Sequence, residues 1–355
     1  MFVIRPIKQD DLEGLLELLS GAGHGLTSLP KDPQILKRRI KHSEISFDHE
    51  AWPDGPSGQS YLFVMEELYT GRIVGVSGII AKIGGFEPYY FYHLEENTHN
   101  SEMLNVKNDI RSLHLEAVHS GPAEICSLYL AKDFRNSQNG RFLSLSRFLF
   151  MADNEKYFEK EVIAELRGQV DDTGHSPFWD AVGKHFFQID FPTADYLTMK
   201  SKKFIEELLP KYPIVVNLLS EAAQEVVAEV HPNTAPARRI LEQEGFEFSG
   251  LVGVFEPGPV IKAPLDKVRT IKESKHMEIK SVKPASDIEG EPHIISTTQG
   301  KFRACLSPIS VEDNGLTISD VAATALKVKI GEVVRFVSLR PKNQAQRKMT
   351  SKKKV

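Results

Sequence analysis

Cysteine is nearly absent: the 355 residues hold two, Cys126 and Cys305, far apart and both in apolar surroundings. That excludes a disulfide framework and a thiolate zinc site, and it suits a reducing compartment. Paired histidines are missing as well. None of the twelve falls in an HxH, HxxxH or HExxH spacing, so a metal site would need ligands from distant segments, and none is expected. No apolar run is long enough for a membrane span or signal peptide; Met1-Phe2-Val3-Ile4 gives way at once to Arg5, Lys8, Asp10 and Asp11, which points to a cytoplasmic protein. Charge of one sign is not in excess either. The net charge is −4, yet the end from Pro341 to Val355 carries six bases and no acid, so the body is more acidic than the total. Such a body is a poor nucleic-acid or membrane-surface binder, and the tail reads as a solvated end. What remains is ordinary globular composition, 41% hydrophobic and 26% charged, in a chain long enough for several domains.

Hydrophobic spacing divides much of the chain. Phe2 to Ile7 reads as a strand, followed by a helix with Leu12, Leu15, Leu16, Leu18 and Leu19 on its apolar side. Tyr61 to Glu66 and Arg72 to Ile83 read as a hairpin turned at Tyr69-Thr70-Gly71, whereas Phe86 to Leu115 shows no single period. A strand is expected at Glu124 to Leu130, a helix at Gly140 to Ala152, a strand at Glu161 to Leu166, a helix at Pro177 to Lys184 and a strand at Phe186 to Phe191. Helical stretches follow at Lys202 to Leu209, Glu221 to Val230 and Ala235 to Glu244, the last closed by Gly245 as a left-handed cap, before a strand from Phe246 to Phe255. After Lys275 come short β runs separated by turns. The expected organisation is a core over 1–200, a helical and β extension over 201–275, a small β-rich appendage over 276–342 and a basic flexible tail over 343–355.

The most informative stretch is Ile125 to Ser144. A strand runs into a polar loop that opens an amphipathic helix, and the first N–H groups and positive dipole end of such a helix face anions. Arg135, Asn136, Ser137, Gln138, Asn139, Gly140 and Arg141, with the strand backbone at Leu128 and Leu130, are the candidate residues. The same segment also suits an ordinary strand, loop and helix of an α/β core. Arg135 and Gly140 fall on the R-x-x-G-x-G pattern of GNAT-type acyl-CoA transferases, whose loop cradles the coenzyme A pyrophosphate. Gln138 stands where the first glycine is usual, and glutamine tolerates positive φ poorly.

Six ordered segments extend the likeness: Gly25-Leu26-Thr27-Ser28-Leu29-Pro30, Asn139 to Ala152, Ala164 to Gly168, Ser176-Pro177-Phe178-Trp179, Val230 to Ala237, and Glu244-Gly245-Phe246. Together they resemble the arginine N-succinyltransferase family, in the same order. The resemblance implies an α/β (α+β), GNAT-like fold with a mixed, mostly antiparallel sheet. It implies succinyl-CoA as cosubstrate, with no permanently bound cofactor, and transfer of its succinyl group to the α-amino group of L-arginine as the first step of arginine catabolism; some members accept ornithine. The family's succinyl-CoA-contacting leucine falls on Leu128 and its proton-donating histidine on His231.

The chemistry agrees with that reading. Acyl transfer to an amine needs a neutral nucleophile, a stabilised oxyanion and a proton for the leaving thiolate. Where many GNAT enzymes place a tyrosine, five residues before Phe246, this chain has Leu241, which cannot donate. His231, held extended before Pro232, is an acid-base group in a suitable place, with His185 in the second Gly-Phe-like segment as its competitor. For the substrate's guanidinium and carboxylate the candidates are Glu165 and Arg167, two apart on a strand, with Asp171 and Asp172; a structural ion pair beside a turn fits them equally. Thr27, Ser28 or Arg141 could meet the succinyl carboxylate. Gly75-Val76-Ser77-Gly78 lacks the G-x-S-x-G spacing of a serine hydrolase, and Cys126 reads as core rather than nucleophile. A homo-oligomer is the default, and the family's paired subunits leave a hetero-oligomer with a paralogous subunit as the alternative.

Overall fold

The β-rich runs pair into one continuous mixed sheet in the computed structural model, which describes residues 1–22, 28–136, 138–171, 173–312 and 315–341. Thr27, Ser137, Asp172 and the tail 343–355 lie outside the described residues. In chain order the strands are β1 (Phe2–Pro6), β2 (Ser60–Glu67), β3 (Ile73–Ile80), β4 (Tyr89–Ser101), β5 (Val106–Val118), β6 (Ala123–Leu130), β7 (Glu161–Glu165), β8 (Ile214–Val215), β9 (Glu247–Val252) and β10 (Pro259–Pro264). The C-terminal part adds β11 (Lys275–Lys283), β12 (His293–Thr297), β13 (Ala304–Ser307), β14 (Ser310–Glu312), β15 (Gly315–Ser319) and β16 (Val333–Ser338). Between them run α1 (Leu12–Ser20), α2 (Pro33–Ser46), α3 (Asn139–Asp153), α4 (Lys184–Phe187), α5 (Phe191–Thr198), α6 (Lys203–Leu208), α7 (Glu221–Glu225), α8 (Ala235–Gln243), α9 (Arg269–Glu273) and α10 (Asp320–Leu326). None of these helices is long and apolar enough to cross a membrane.

The strand order is β14-β15-β11-β16-β12-β13-β1-β2-β3-β6-β7-β10-β9-β4-β5-β8, with β6–β7 and β11–β15 the parallel pairs and the other pairings among the described residues antiparallel. The C-terminal strands are not a detached unit. β13 pairs with β1, Val3 opposite Cys305, so they extend the core sheet while Ile279, Ile295, Leu316, Ile318 and Phe336 build an apolar cluster of their own.

One place in the sheet opens. The β6–β7 ladder consists of Ala123↔Val162 and Glu124↔Ile163, although β6 runs on to Leu130 along β3. Next to this split β6 bulges: the register with β3 shifts between Val76 and Gly78, where Ser127 takes φ +54. A bulge with one residue in a left-handed conformation re-aims the strand, here away from β7. Helix α3 fills the face behind the split, burying Phe142, Leu143, Phe148, Leu149 and Met151 against Ile125, Val162 and Ala164. At about 1.5–3 kcal/mol for each large apolar side chain, this stripe anchors the helix whose N-terminus faces the loop. Arg147 lies inside it, donating to the carbonyls of Gly78 (3.4 Å) and Cys126 (3.3 Å), so the strands either side of the bulge are tied to the helix.

Three readings change. Phe86 to Leu115 resolves as most of a hairpin, β4 and β5 paired from Tyr89↔Val118 to Ser101↔Val106. The strand expected at Phe186 to Phe191 is instead the end of α4 and the start of α5. Gln188 turns the chain with φ +57, and Asp190 caps α5 by accepting from the Thr193 N–H at 2.7 Å, with Pro192 in the first turn. The aromatic run serves a cluster: Phe187 stacks on Trp179 at 5.4 Å and meets Phe255 edge-on. The helix expected over Glu221 to Val230 closes at Glu225, because Ala228 takes φ +64 and donates its N–H to the Pro257 carbonyl.

Candidate active site

The loop between β6 and α3 is tied before any ligand arrives. Asn136 Oδ1 accepts from the N–H groups of Gln138 (3.0 Å) and Asn139 (2.7 Å), and the Asn139 side chain donates to the Phe134 carbonyl. Gln138 has φ −98 and ψ −50, so the position where a glycine is usual needs no left-handed backbone here. A Cβ placed on Gly140 would meet nothing within 4 Å; the protein's own packing does not require glycine there. Arg135 folds back, its Nε donating to the Leu130 carbonyl at 2.9 Å and its guanidinium lying over Tyr129. Arg141 is buried and turns toward α8, where it donates to the Gln243 side chain.

His231 is buried and pinned at the entrance to α8. Its N–H donates to the Arg167 carbonyl (2.8 Å), its own carbonyl accepts from Thr234 and Ala235, and Gln169 Nε2 donates to the neighbouring Val230 carbonyl. The Asn233 N–H, which can only donate, reaches His231 Nδ1 at 3.1 Å. Nδ1 therefore accepts, and the neutral ring carries its proton on Nε2. These contacts join the start of α8 to the chain leaving β7. His185 stands exposed on the short α4, and Leu241 is buried in the main core.

Beside the split lies a cluster of carboxylates. Glu124 on β6 and Glu165 on β7 occupy one sheet face, since Glu124 lies opposite Ile163 and side chains two apart on a strand point the same way. Tyr89 on β4 donates its hydroxyl to Glu165 Oε2 at 2.9 Å. From α2, Arg39 donates to the Ser28 carbonyl, and Ser127 Oγ on the bulge donates to Ser28 Oγ at 2.9 Å. Lys202 covers the Tyr89 ring, 4.9 Å from its centroid. Arg167 Nε and Glu256 Oε2 face each other at 4.0 Å, both buried and neither hydrogen-bonded.

The electrostatics follow from enclosure. Desolvation, reinforced by the Glu165 charge and opposed by Lys202 and Arg39, pushes the Glu124 carboxyl up to about 7. Burial also raises Glu165, against the Tyr89 hydrogen bond and Lys202, and lifts Glu256 well above the usual carboxylate range, against Arg167. Glu165 still reaches solvent while protein surrounds it, which describes a side chain on the wall of a cleft. Further along the same strand face, Ile163 opens into a groove of ≈ 340 Å³ with Phe91, His93, Leu251 and Lys262; His231 is not part of its lining.

The structure thus gathers Ser28, Glu165 and Arg167, with Arg167 facing Glu256 rather than Glu165. Asp171 is occupied by its own loop, accepting from Thr173 and His175. Sequence reasoning missed Glu124, Glu256, Tyr89, Arg39 and Lys202. Glu124 alone carried a signal, a carboxylate in an otherwise apolar strand; the others belong to segments with no periodic link to the loop.

A mixed sheet opened between two parallel strands, with a polar loop and helix N-terminus beyond the opening, defines a GNAT-like acyl-CoA N-acyltransferase, an enzyme whose cosubstrate is a coenzyme A thioester. Comparison with known proteins is specific over nearly the whole chain. The family model described as arginine N-succinyltransferase beta subunit matches residues 2–270, and that of the beta subunit's C-terminal domain matches 275–338. An arginine N-succinyltransferase of Photorhabdus laumondii is 39% identical over 344 residues, 96% of this chain and 99% of its own. That of Yersinia pestis strain Pestoides F is 40% identical over 348, covering 96% and 98%. The solved structure of arginine/ornithine succinyltransferase subunit AI from Pseudomonas aeruginosa has a TM-score of 0.85 at 34% identity, over 96% of this chain and 99% of that one. The chain belongs to the arginine N-succinyltransferase family.

Proposed function

We propose that this acyltransferase moves the succinyl group of succinyl-CoA to the α-amino group of L-arginine, giving N2-succinylarginine and coenzyme A by direct attack in a ternary complex. The observation that carries this reading is the meeting, around one opening in the sheet, of a capped helix N-terminus, a histidine pinned to the end of β7 and a cleft of carboxylates suited to a cationic amino acid. The strand backbone at Leu128 and Leu130 orients the thioester, and the loop from Arg135 to Arg141 holds the pyrophosphate, which can approach Gly140 closely because no side chain stands there. Glu165 and Arg167, with Thr27 and Ser28, receive the amino acid and the succinyl carboxylate, and Asp171 and Asp172 are the further candidates for that role. Over the reaction the nitrogen loses two protons and the sulfur gains one. One nitrogen proton is lost to solvent before attack, and His231 relays the other, released as the amide forms, to the departing sulfur through Nε2.

In this reading residues 1–200 form the acyl-CoA core, 201–275 carry His231, and 276–342 extend the sheet. The descriptions of relatives as subunits support an assembly of more than one chain. Ornithine is the second reading, favoured by the name of the Pseudomonas relative and by a carboxylate cleft that any dicationic amino acid satisfies. The test is free-thiol release from succinyl-CoA with L-arginine, with L-ornithine and acetyl-CoA as parallel arms. Release confined to succinyl-CoA with arginine establishes the reaction; silence in every arm overturns it.

A further inference from the structure

The β4–β5 hairpin reaches out of the fold. β9 holds its root, Tyr92 opposite Val252 and His93 opposite Leu251, and β8 holds β5 at Ser112 and Leu113. Past the Asn217 side chain, which bonds the Arg111 N–H and the Asp109 carbonyl, the ribbon has no strand partner among the described residues except itself, as far as Ser101↔Val106. Its outer residues, Glu96 to Asn100 and Val106 to Asp109, are exposed. A two-stranded ribbon is marginal in water by itself, yet this one ends in an ordered turn. The Asn105 N–H donates to the Glu102 carbonyl at 3.2 Å and the Leu104 N–H to Ser101 Oγ at 3.3 Å. That turn presents apolar side chains to solvent: Met103 is 90% exposed, Leu104 65% and Val106 51%. An apolar tip on a polar arm marks a contact.

We propose that the hairpin is an arm exchanged between two copies of this chain, the tip of each, Met103, Leu104 and Val106, lying in the groove at the root of the other's hairpin. The groove has the matching chemistry. Phe91, Val118, Ile163 and Leu251 make it apolar, while Glu116, Glu161 and Lys262 stand around it, the last two paired at 3.3 Å. Its ≈ 340 Å³ is at the small end of ligand pockets, which run to roughly 300–1,000 Å³, and suits a few side chains better than a whole cofactor. Charges complement as well, since Glu102 and Lys107 flank the tip as Lys262 and Glu116 flank the groove. The arm cannot fill its own groove. From His93 to Ser101 the strand runs roughly 27 Å, at about 3.4 Å per residue, and is paired throughout, so it does not double back.

Symmetry supplies the register. Alternation puts Phe91, His93 and Ser101 on one face, with Glu116 opposite Phe91 and Val106 opposite Ser101. Two such faces laid together antiparallel, about a two-fold axis crossing the ribbons at Asn97 and Ile110, bring Met103 of each copy to Phe91 of the other and Leu104 to Glu116. Tip and groove belong to one hairpin, so both contacts form together and the pair closes instead of growing.

The experiment is sedimentation of the full-length protein over the micromolar range, with circular dichroism and coenzyme A binding as controls on the fold. Wild type should sediment as two chains. Met103→Glu with Leu104→Glu, both at an exposed turn, should dissociate at least roughly 10²-fold more readily. Separate Leu104→Cys and Glu116→Cys preparations, when mixed, should be joined by a short bismaleimide into a covalent dimer linked at those two positions. Cys126 and Cys305 leave this readout clear, because burial raises both thiols. A wild type that stays a single chain overturns the proposal, as does a tip variant that dimerises as wild type does. Links from the tip to other positions overturn the groove, and a mass that keeps rising with concentration overturns the two-fold closure.

Discussion

Glu124→Gln tests the electrostatics of the cleft without any turnover. A carboxyl that titrates near 7 in the folded protein and near its ordinary 4.5 when unfolded binds more protons in the native state throughout that interval. Stability must therefore fall as pH rises from about 4.5 to 7, and the full cost is present above the folded value. The difference is about 2.5 pKa units at 1.36 kcal/mol each, so roughly 3 kcal/mol is at stake, and Glu124 is 5% exposed, which leaves little solvent screening to discount. Glutamine keeps the size and loses the charge. Urea unfolding of wild type and variant, with histidines and other acids common to both, should give similar free energies at pH 4.5 and a variant more stable by about 3 kcal/mol at pH 8. A difference that does not change with pH, or one that grows toward acid, would refute the claim that this carboxylate is held charged at a cost in the folded cleft.

Replacing His231 with alanine should lower turnover by roughly 10²- to 10⁴-fold while calorimetry shows coenzyme A binding unchanged; an unaltered rate removes His231 from the chemistry. Arg269→Met leaves the fully buried Glu244 without the guanidinium bonds at 3.0 and 2.8 Å that join α9 to the end of α8. Urea unfolding should record a loss of about 3–5 kcal/mol, largely recovered in the double variant with Glu244→Leu, and a loss below about 1 kcal/mol contradicts the account. Desolvation raises the Cys126 thiol to about 11, so at pH 8 it should resist iodoacetamide until the protein is unfolded. Fast alkylation of the native protein, located at Cys126 by mass spectrometry, would show that the cleft exposes a thiolate.

Where one segment carried the whole pattern, the residues alone were enough to find its elements. β6, its loop and α3 are contiguous, so strand, polar loop and helix could be placed from apolar spacing. His231 was singled out by the family resemblance, and Pro232 accounts only for its extended backbone. The failure at Phe186 to Phe191 had a local cause: Asp190 and Pro192 form a helix-start signal, which an aromatic run obscured. Arg167 was assigned to Glu165 by strand alternation, but β7 ends at Glu165, and beyond a strand's end alternation no longer governs which way a side chain points.

Local order, then, was written in the sequence: the mixed α/β character, the loop that could hold phosphates, and the histidine before its proline all depend on interactions within a few residues. The cleft was decided only by tertiary structure. Its carboxylates come from β6, β7 and the turn between β9 and β10, its cations from α2, the end of β7 and the segment before α6, and its hydroxyl from β4. No spacing rule connects those positions. Glu124 is an ordinary carboxylate in an extended chain; its carboxyl is pushed up to about 7 when folding removes its water and sets Glu165 beside it, and both changes need the sheet assembled and opened between β6 and β7.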